Sequence, residues 1–194
     1  MLRLNLPKPS SDLLAALTNT IDQELPNYTP GYEYLRAGVA DGAYFATDIV
    51  DIGKKEYQHL FDEDINIFAM MLRPEPWITT STDYITSYYR PHSDAYRKLG
   101  LNYILDTGGN NVTTTMYTKV DNSDSPLASV CDYEDVTALR SYNLHENVWY
   151  GLEASRYHSV DNIQTPRLLL TISFAELSYT DFIIKYSHFI DSIV

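Results

Sequence analysis

A mainly β fold with one early helix is predicted by three features of the sequence. About eight short segments are rich in β-branched and aromatic residues and are separated by short turns. The clearest of them, Arg167 to Phe174, alternates with period two: Leu168, Leu170, Ile172 and Phe174 make a wholly apolar face, and Arg167, Leu169, Thr171 and Ser173 a mixed one. A strand of a closed double sheet needs that division, with one face under a helix and the other lining a pocket. The third feature is the helical stripe Leu13, Leu14, Leu17, Ile21 and Leu25 near the start of the chain. Together they predict a double-stranded β-helix, the jelly-roll type of barrel, with the N-terminal helix packed on one sheet.

Taken in order, Leu2, Leu4 and Leu6 alternate with Met1, Arg3 and Asn5 up to Pro7, which gives a short strand with one buried face. Ser10 or Ser11 caps the helix that follows, and Pro26 ends it. Residues 26 to 42, rich in Pro, Gly and Tyr, read as turns and irregular chain. Ala43 to Ile52 is apolar but interrupted and fits a strand or a helix. Lys54 to Phe61 fits one or two helical turns, with His59 on them as a surface or cap residue. Ile65 to Leu72 is a buried strand or short helix, and its recurring Ile and Phe favour a strand.

From Trp77 the chain turns β-like, with Ile78 to Thr80 and Tyr84 to Arg90 feeding a Pro91-His92 corner. In the next strand, Leu99 to Asp106, the face of Leu101, Tyr103 and Leu105 is expected under the helix. Gly100, Asn102 and Ile104 then look into the barrel, with Asn102 near its site. A turn at Gly108 to Asn111 joins this strand to Val112 to Thr118 as a hairpin. The polar, acidic connection from Lys119 to Asp135 is a lid or a surface loop. Val136 to Leu144 and Asn147 to Leu152 give two more strands, with His145-Glu146 at the turn between them. Arg167 to Phe174 is the final strand, and residues 176 to 194 form a helix or strand packed outside it, carrying His188 as a packing or surface residue.

A chain of 194 residues makes a single domain over residues 1 to 194 and can bury roughly 70% of its unfolded surface. Hydrophobic residues make up 44% of the chain, yet no apolar run approaches the roughly 18 residues that span a bilayer. Met1 to Pro7 has no continuous apolar core and is not a secretory signal, so the expected location is cytoplasmic. The lone Cys131 leaves a free thiol, which suits a reducing compartment. A net charge of -12 repels phosphate backbones and anionic membranes, so neither nucleic acid nor membrane is an expected partner. A small anion held by a local Arg remains compatible with that charge. Repeats, zinc-type Cys/His spacing, a P-loop and a dinucleotide glycine fingerprint are all missing from the sequence.

The functional residues centre on Arg90-Pro91-His92-Ser93-Asp94 and Tyr157-His158-Ser159-Val160, with Arg167 beyond. Two imidazoles and a carboxylate can hold one face of a ferrous ion, and His92, Asp94 and His158 supply that set. Side chains at i and i+2 of a strand point the same way, so His92 and Asp94 can reach one metal, and a neighbouring strand can bring back His158. His145 is a weaker alternative to His158, since no anchoring Arg at the start of an apolar strand follows it at the expected distance.

His-x-Asp, a distant His, then an Arg about ten residues on at the start of a strand resembles the iron(II) and 2-oxoglutarate dependent oxygenases. The stretch from Leu101 to Asp106 followed by Gly108-Gly109 is also similar to that family, and the likeness covers roughly residues 85 to 175. It implies Fe(II) on His92, Asp94 and His158, with 2-oxoglutarate as cosubstrate and dioxygen as oxidant. Decarboxylation of the keto acid to succinate would be coupled to oxidation of a substrate, usually its hydroxylation. It also implies that Arg167 receives the far carboxylate of 2-oxoglutarate through paired hydrogen bonds. Many members carry Ser or Thr two residues after that Arg, where this chain has Leu169. The second contact is then expected from Asn102, Thr115 or a Tyr, and Asp161 is a candidate to orient His158.

Acidity and small size favour a small molecule, an amino acid or an exposed protein side chain as substrate. The rival reading is a non-catalytic, cupin-like barrel that binds a metal or small ligand, for which a 2-oxoglutarate anchor at Arg167 is unnecessary. A dioxygenase without cosubstrate usually prefers three His, and Asp94 counts against it.

Overall fold

The computed structural model describes residues 1–24, 43–44, 46–72, 91–94, 97–120, 131 and 133–194. Within them the chain is mainly β, with two antiparallel sheets and a few helices. The strands are β1 (Leu2–Leu4), β2 (Ala43–Tyr44), β3 (Asn66–Leu72), β4 (Leu99–Asp106), β5 (Thr113–Lys119), β6 (Val136–Tyr142), β7 (Trp149–Glu153), β8 (His158–Asp161), β9 (Arg167–Phe174) and β10 (Ile190–Ile193). The helices are α1 (Ser11–Glu24), α2 (Thr47–Tyr57) and α3 (Tyr179–Lys185). The large sheet runs β10-β1-β7-β4-β9-β3-β2 and the small one β6-β5-β8. No helix among the described residues is long and apolar enough to cross a membrane. The turns expected over 26–42, the strands expected at 78–80 and 84–90, and residues 121–130 and 132 of the acidic connection lie outside the described residues.

Period-two alternation sorts the large sheet into two cores. Ile67, Ala69 and Met71 of β3, Leu99, Leu101 and Tyr103 of β4, and Leu170, Ile172 and Phe174 of β9 pack with Leu13, Leu17 and Ile21 of α1 and Ile49 and Tyr57 of α2. Phe68, Met70 and Leu72, Ile104 and Leu169 join the second core, where they meet Val160 of β8. The division expected of β4 and β9 is therefore present, and Leu13, Leu17 and Ile21 of α1 belong to the core on the face of Leu101 and Tyr103.

Local chemistry fixes the helices on that sheet. The Ser10 hydroxyl accepts the Leu13 N–H at 3.2 Å as the α1 cap and donates to Glu56 of α2, while the Ser10 N–H bonds the other Glu56 oxygen at 3.1 Å. Tyr57 and Trp149, edge to face at 5.4 Å, both donate to the Pro7 carbonyl, at 3.1 and 2.9 Å. At Gly53 an added Cβ would lie 2.8 Å from Ile67 Cγ2, so α2 approaches β3 as closely as a residue without a side chain permits.

Three expectations need correction. Ala43 to Phe61 is a two-residue strand, then one continuous helix from Thr47, then a single 3-10 turn, Gln58–Leu60, carrying exposed His59. Leu99–Asp106 and Thr113–Lys119 do not form a hairpin: both edges of β4 are taken, by β7 and β9, and β5 pairs with β6 and β8. The glycine turn instead carries the chain from one sheet to the other, and Gly108 and Gly109 adopt φ of 81° and 129° there. Arg167–Phe174 is not the final strand, because β10 pairs with β1 after α3.

Candidate metal centre

His92 and His158 face each other across an antiparallel bridge. The His92 N–H donates to the His158 carbonyl at 2.9 Å and the His158 N–H to the His92 carbonyl at 2.8 Å. Directly opposed residues project to the same side of a sheet, and the two rings lie 4.4 Å apart. This bridge extends the small sheet beyond β8, whose other edge is held by β5. The Asp94 N–H donates to the Ala154 carbonyl at 2.9 Å, and the Cys131 N–H to the Pro91 carbonyl at 3.0 Å, so residues 91–94 are held from several sides.

One ligating atom each from His92, Asp94 and His158 lies within 4.8 Å of the other two. His158 is buried, while His92 and Asp94 keep a small exposed fraction. His158 Nδ1 lies 2.8 Å from the Arg156 carbonyl, which can only accept, so Nδ1 carries the proton and Nε2 is left with its lone pair. Burial, reinforced by the neighbouring His92 and only partly opposed by Asp94, pushes the imidazole down to about 4. At neutral pH it is the uncharged form that ligates metals. Burial opposes ionisation of Asp94, but Arg97 first, then His158 and His92, outweigh it and hold the carboxyl below its ordinary value. Arg97 Nε donates to Asp94 Oδ2 at 2.5 Å, and Oδ1 stands 3.8 Å from His92 Nε2. A neutral imidazole, a second imidazole and an ionised carboxylate with one oxygen turned to the cluster fit a divalent ion of the Fe(II) type.

The cluster opens into a cavity within the second core that holds about 590 Å³ of space not filled by atoms, its solvent-open part included. Arg167 and Asn102 line the same cavity, together with Thr114 and apolar side chains such as Leu72, Tyr150 and Leu169. Arg167 opens β9 and is 3% exposed; its Nη2 donates to Thr114 Oγ1 at 3.2 Å, and its Nε is buried without a hydrogen-bond partner. No carboxylate among the described residues forms an ion pair with it. Burial lowers the guanidinium to about 10, which still leaves it charged at neutral pH. Gly108 makes room for it: a Cβ there would lie 2.8 Å from Arg167 Cβ. Asn102 accepts from the Thr171 hydroxyl at 2.9 Å across β4 and β9.

All five residues singled out from the sequence thus line one cavity, but two expected supporting contacts are different. Asp161 does not orient His158: it accepts from Ser159, Thr115 and Tyr133, because three residues along a strand is an odd step to the opposite face. That task falls to the Arg156 carbonyl. Thr115 shares the face of Asp161 and bonds Ser141, whereas Thr114, one residue earlier, is the hydroxyl beside Arg167. Arg97 went unread in the sequence, although its position three residues after Asp94 is a spacing at which such pairs meet. His145 and His188 are exposed and take no part in the cluster. In comparisons with known proteins, no family model matches the chain and no curated protein matches it.

Proposed function

We propose that this chain is an iron(II) and 2-oxoglutarate dependent dioxygenase, a hydroxylase of a small molecule, an amino acid or a protein side chain. The observation that carries the reading is a buried guanidinium without a carboxylate partner among the described residues, Arg167, in the wall of the same cavity as the His92, Asp94 and His158 cluster. An unpaired buried charge is costly unless a ligand of opposite charge completes it. A dicarboxylate with a keto group at one end fits a metal at one point and Arg167 at another.

The strand order supports a jelly roll. β3-β9-β4-β7 is the order of one four-stranded wall, and the His92 segment-β8-β5-β6 that of the facing one. The single Cys131 thiol suits a reducing, cytoplasmic setting.

Fe(II), when bound, supplies the site at which 2-oxoglutarate and dioxygen react. The chain's own residues do the rest. His158 is fixed in one tautomer by Arg156, Asp94 is kept ionised by Arg97, and Arg167 with Thr114 takes the far carboxylate in place of the Ser or Thr missing at Leu169. Apolar walls exclude water around them.

Anaerobic equilibrium dialysis should give one Fe(II) per chain in the wild type and none in His92→Ala, Asp94→Ala or His158→Ala. Arg167→Ala should keep iron but bind 2-oxoglutarate about 10- to 100-fold more weakly. Normal iron affinity in His158→Ala would overturn the ligand assignment, and undiminished 2-oxoglutarate binding in Arg167→Ala would leave a metal-binding module.

A further inference from the structure

We propose that the substrate oxidised at this site carries a carboxylate on an apolar body, and that Arg97 receives it. The inference rests on the cavity being the iron and 2-oxoglutarate site.

Arg97 uses Nε to hold Asp94, and that bond leaves Nη1 for something else. Nη1 is buried and has no hydrogen-bond partner among the described residues. The guanidinium carbon lies 5.7 Å from the centre of the Phe68 ring, so the plane is braced on one side by an aromatic ring and at one edge by a carboxylate. Gly100 lies beside it, where a Cβ would make ordinary contact with Nη1 at 3.4 Å and Asn102 Oδ1 at 3.8 Å. A charged donor held at two points, with one nitrogen buried in the wall of a cavity, has the form of a carboxylate receptor.

Charge makes the same point independently. Among the side chains of the described residues lining the cavity, Asp94 is the one carboxylate, against Arg97 and Arg167, which leaves one positive side-chain charge in excess. A divalent iron raises the excess to three, and the 2-oxoglutarate dianion returns it to one. One positive charge is thus left over in a low-dielectric space after both groups are bound, and Arg167 is by then engaged. A substrate with a single negative group neutralises it, whereas a cation adds to it. The remaining walls, including Met70, Leu72, Leu144, Leu152 and Val160, suit an aliphatic body rather than a polar one. In a chain of net charge -12, this cavity is a local exception.

The test uses hexanoate and its neutral isostere hexanamide, titrated calorimetrically into wild-type protein loaded anaerobically with Fe(II) and saturating 2-oxoglutarate, while the visible band of the chelated keto acid is followed. Hexanoate should bind at least about tenfold tighter than hexanamide, and the band should shift but persist. Arg97→Gln should lose the preference, and Arg97→Lys, which keeps the charge beside Asp94, should retain part of it. Equal affinity for acid and amide in the wild type overturns the inference without need of a variant. So does hexanoate that bleaches the band, since it would then be displacing 2-oxoglutarate from Arg167. A preference that survives in Arg97→Gln also overturns it. No band before either probe is added removes the functional reading itself, and this inference with it.

Discussion

At the scale of single residues, His158 makes the metal-free protein sensitive to acid. Its imidazole titrates near 4 in the fold against 6.5 ordinarily, so as pH falls the unfolded chain takes up the proton first. Stability is therefore full above about 6.5 and is lost as pH falls toward 4, by about 3 kcal/mol in all. Asp94 works in the same direction at lower pH, because its depressed carboxyl contributes stability that disappears as pH falls through its folded value. Urea midpoints at pH 7 and pH 5 should fall clearly for the wild type and less for His158→Gln; equal falls would contradict the burial argument. Arg167 makes an opposite prediction: a buried cation with no carboxylate partner among the described residues is a cost to the metal-free fold, so Arg167→Met should leave its thermal midpoint unchanged or raise it. A drop of several degrees would mean that Arg167 is a structural residue. His92, Asp94, His158, Arg167 and Asn102 line one cavity, and the sequence offered the first four through the order His-x-Asp, His, Arg and the fifth through the parity of β4, although residues 91–94 are an isolated bridge rather than the strand expected there. Arg97 was not legible, since it lies between strands, where no period assigns a side chain to a face.

At the scale of elements, α2 shows why some boundaries stay hidden. Its buried positions are Ile49, Gly53 and Tyr57, a stripe at every fourth residue whose middle member has no side chain to register as apolar. Glycine is there because β3 is close: Ile67, against which a Cβ would press, is 1% exposed in a strand held by β2 and β9. Gly53→Val should cost about 1 to 3 kcal/mol, read as a lower denaturation midpoint, despite replacing the poorer helix former. An unchanged midpoint would mean that α2 can lift from the sheet. The expected hairpin after β4 failed for a different reason. A glycine turn between two strands reads alike whether they pair or diverge, and only the occupied edges of β4 decide it. The strands themselves, above all Leu99–Asp106 and Arg167–Phe174, were legible to the residue because each presents two chemically different faces to two cores.

At the scale of the molecule, those two cores divide the work. Helices and the large sheet bury the outer core, which leaves the inner one free to hold polar groups between the sheets at the cluster of His92, Asp94 and His158. Composition foretold the β content and the two-faced strands, but not how the sheets are connected, because pairing partners are chosen over long separations in sequence. In the proposed reading this inner space holds Fe(II) and 2-oxoglutarate together, with Arg167 at the far carboxylate. The most direct measurement is the anaerobic visible spectrum of the purified protein on adding Fe(II) and then 2-oxoglutarate. A charge-transfer band that appears only with both, and fades in Arg167→Ala, is the predicted result; iron that binds without any band on adding the keto acid would contradict it.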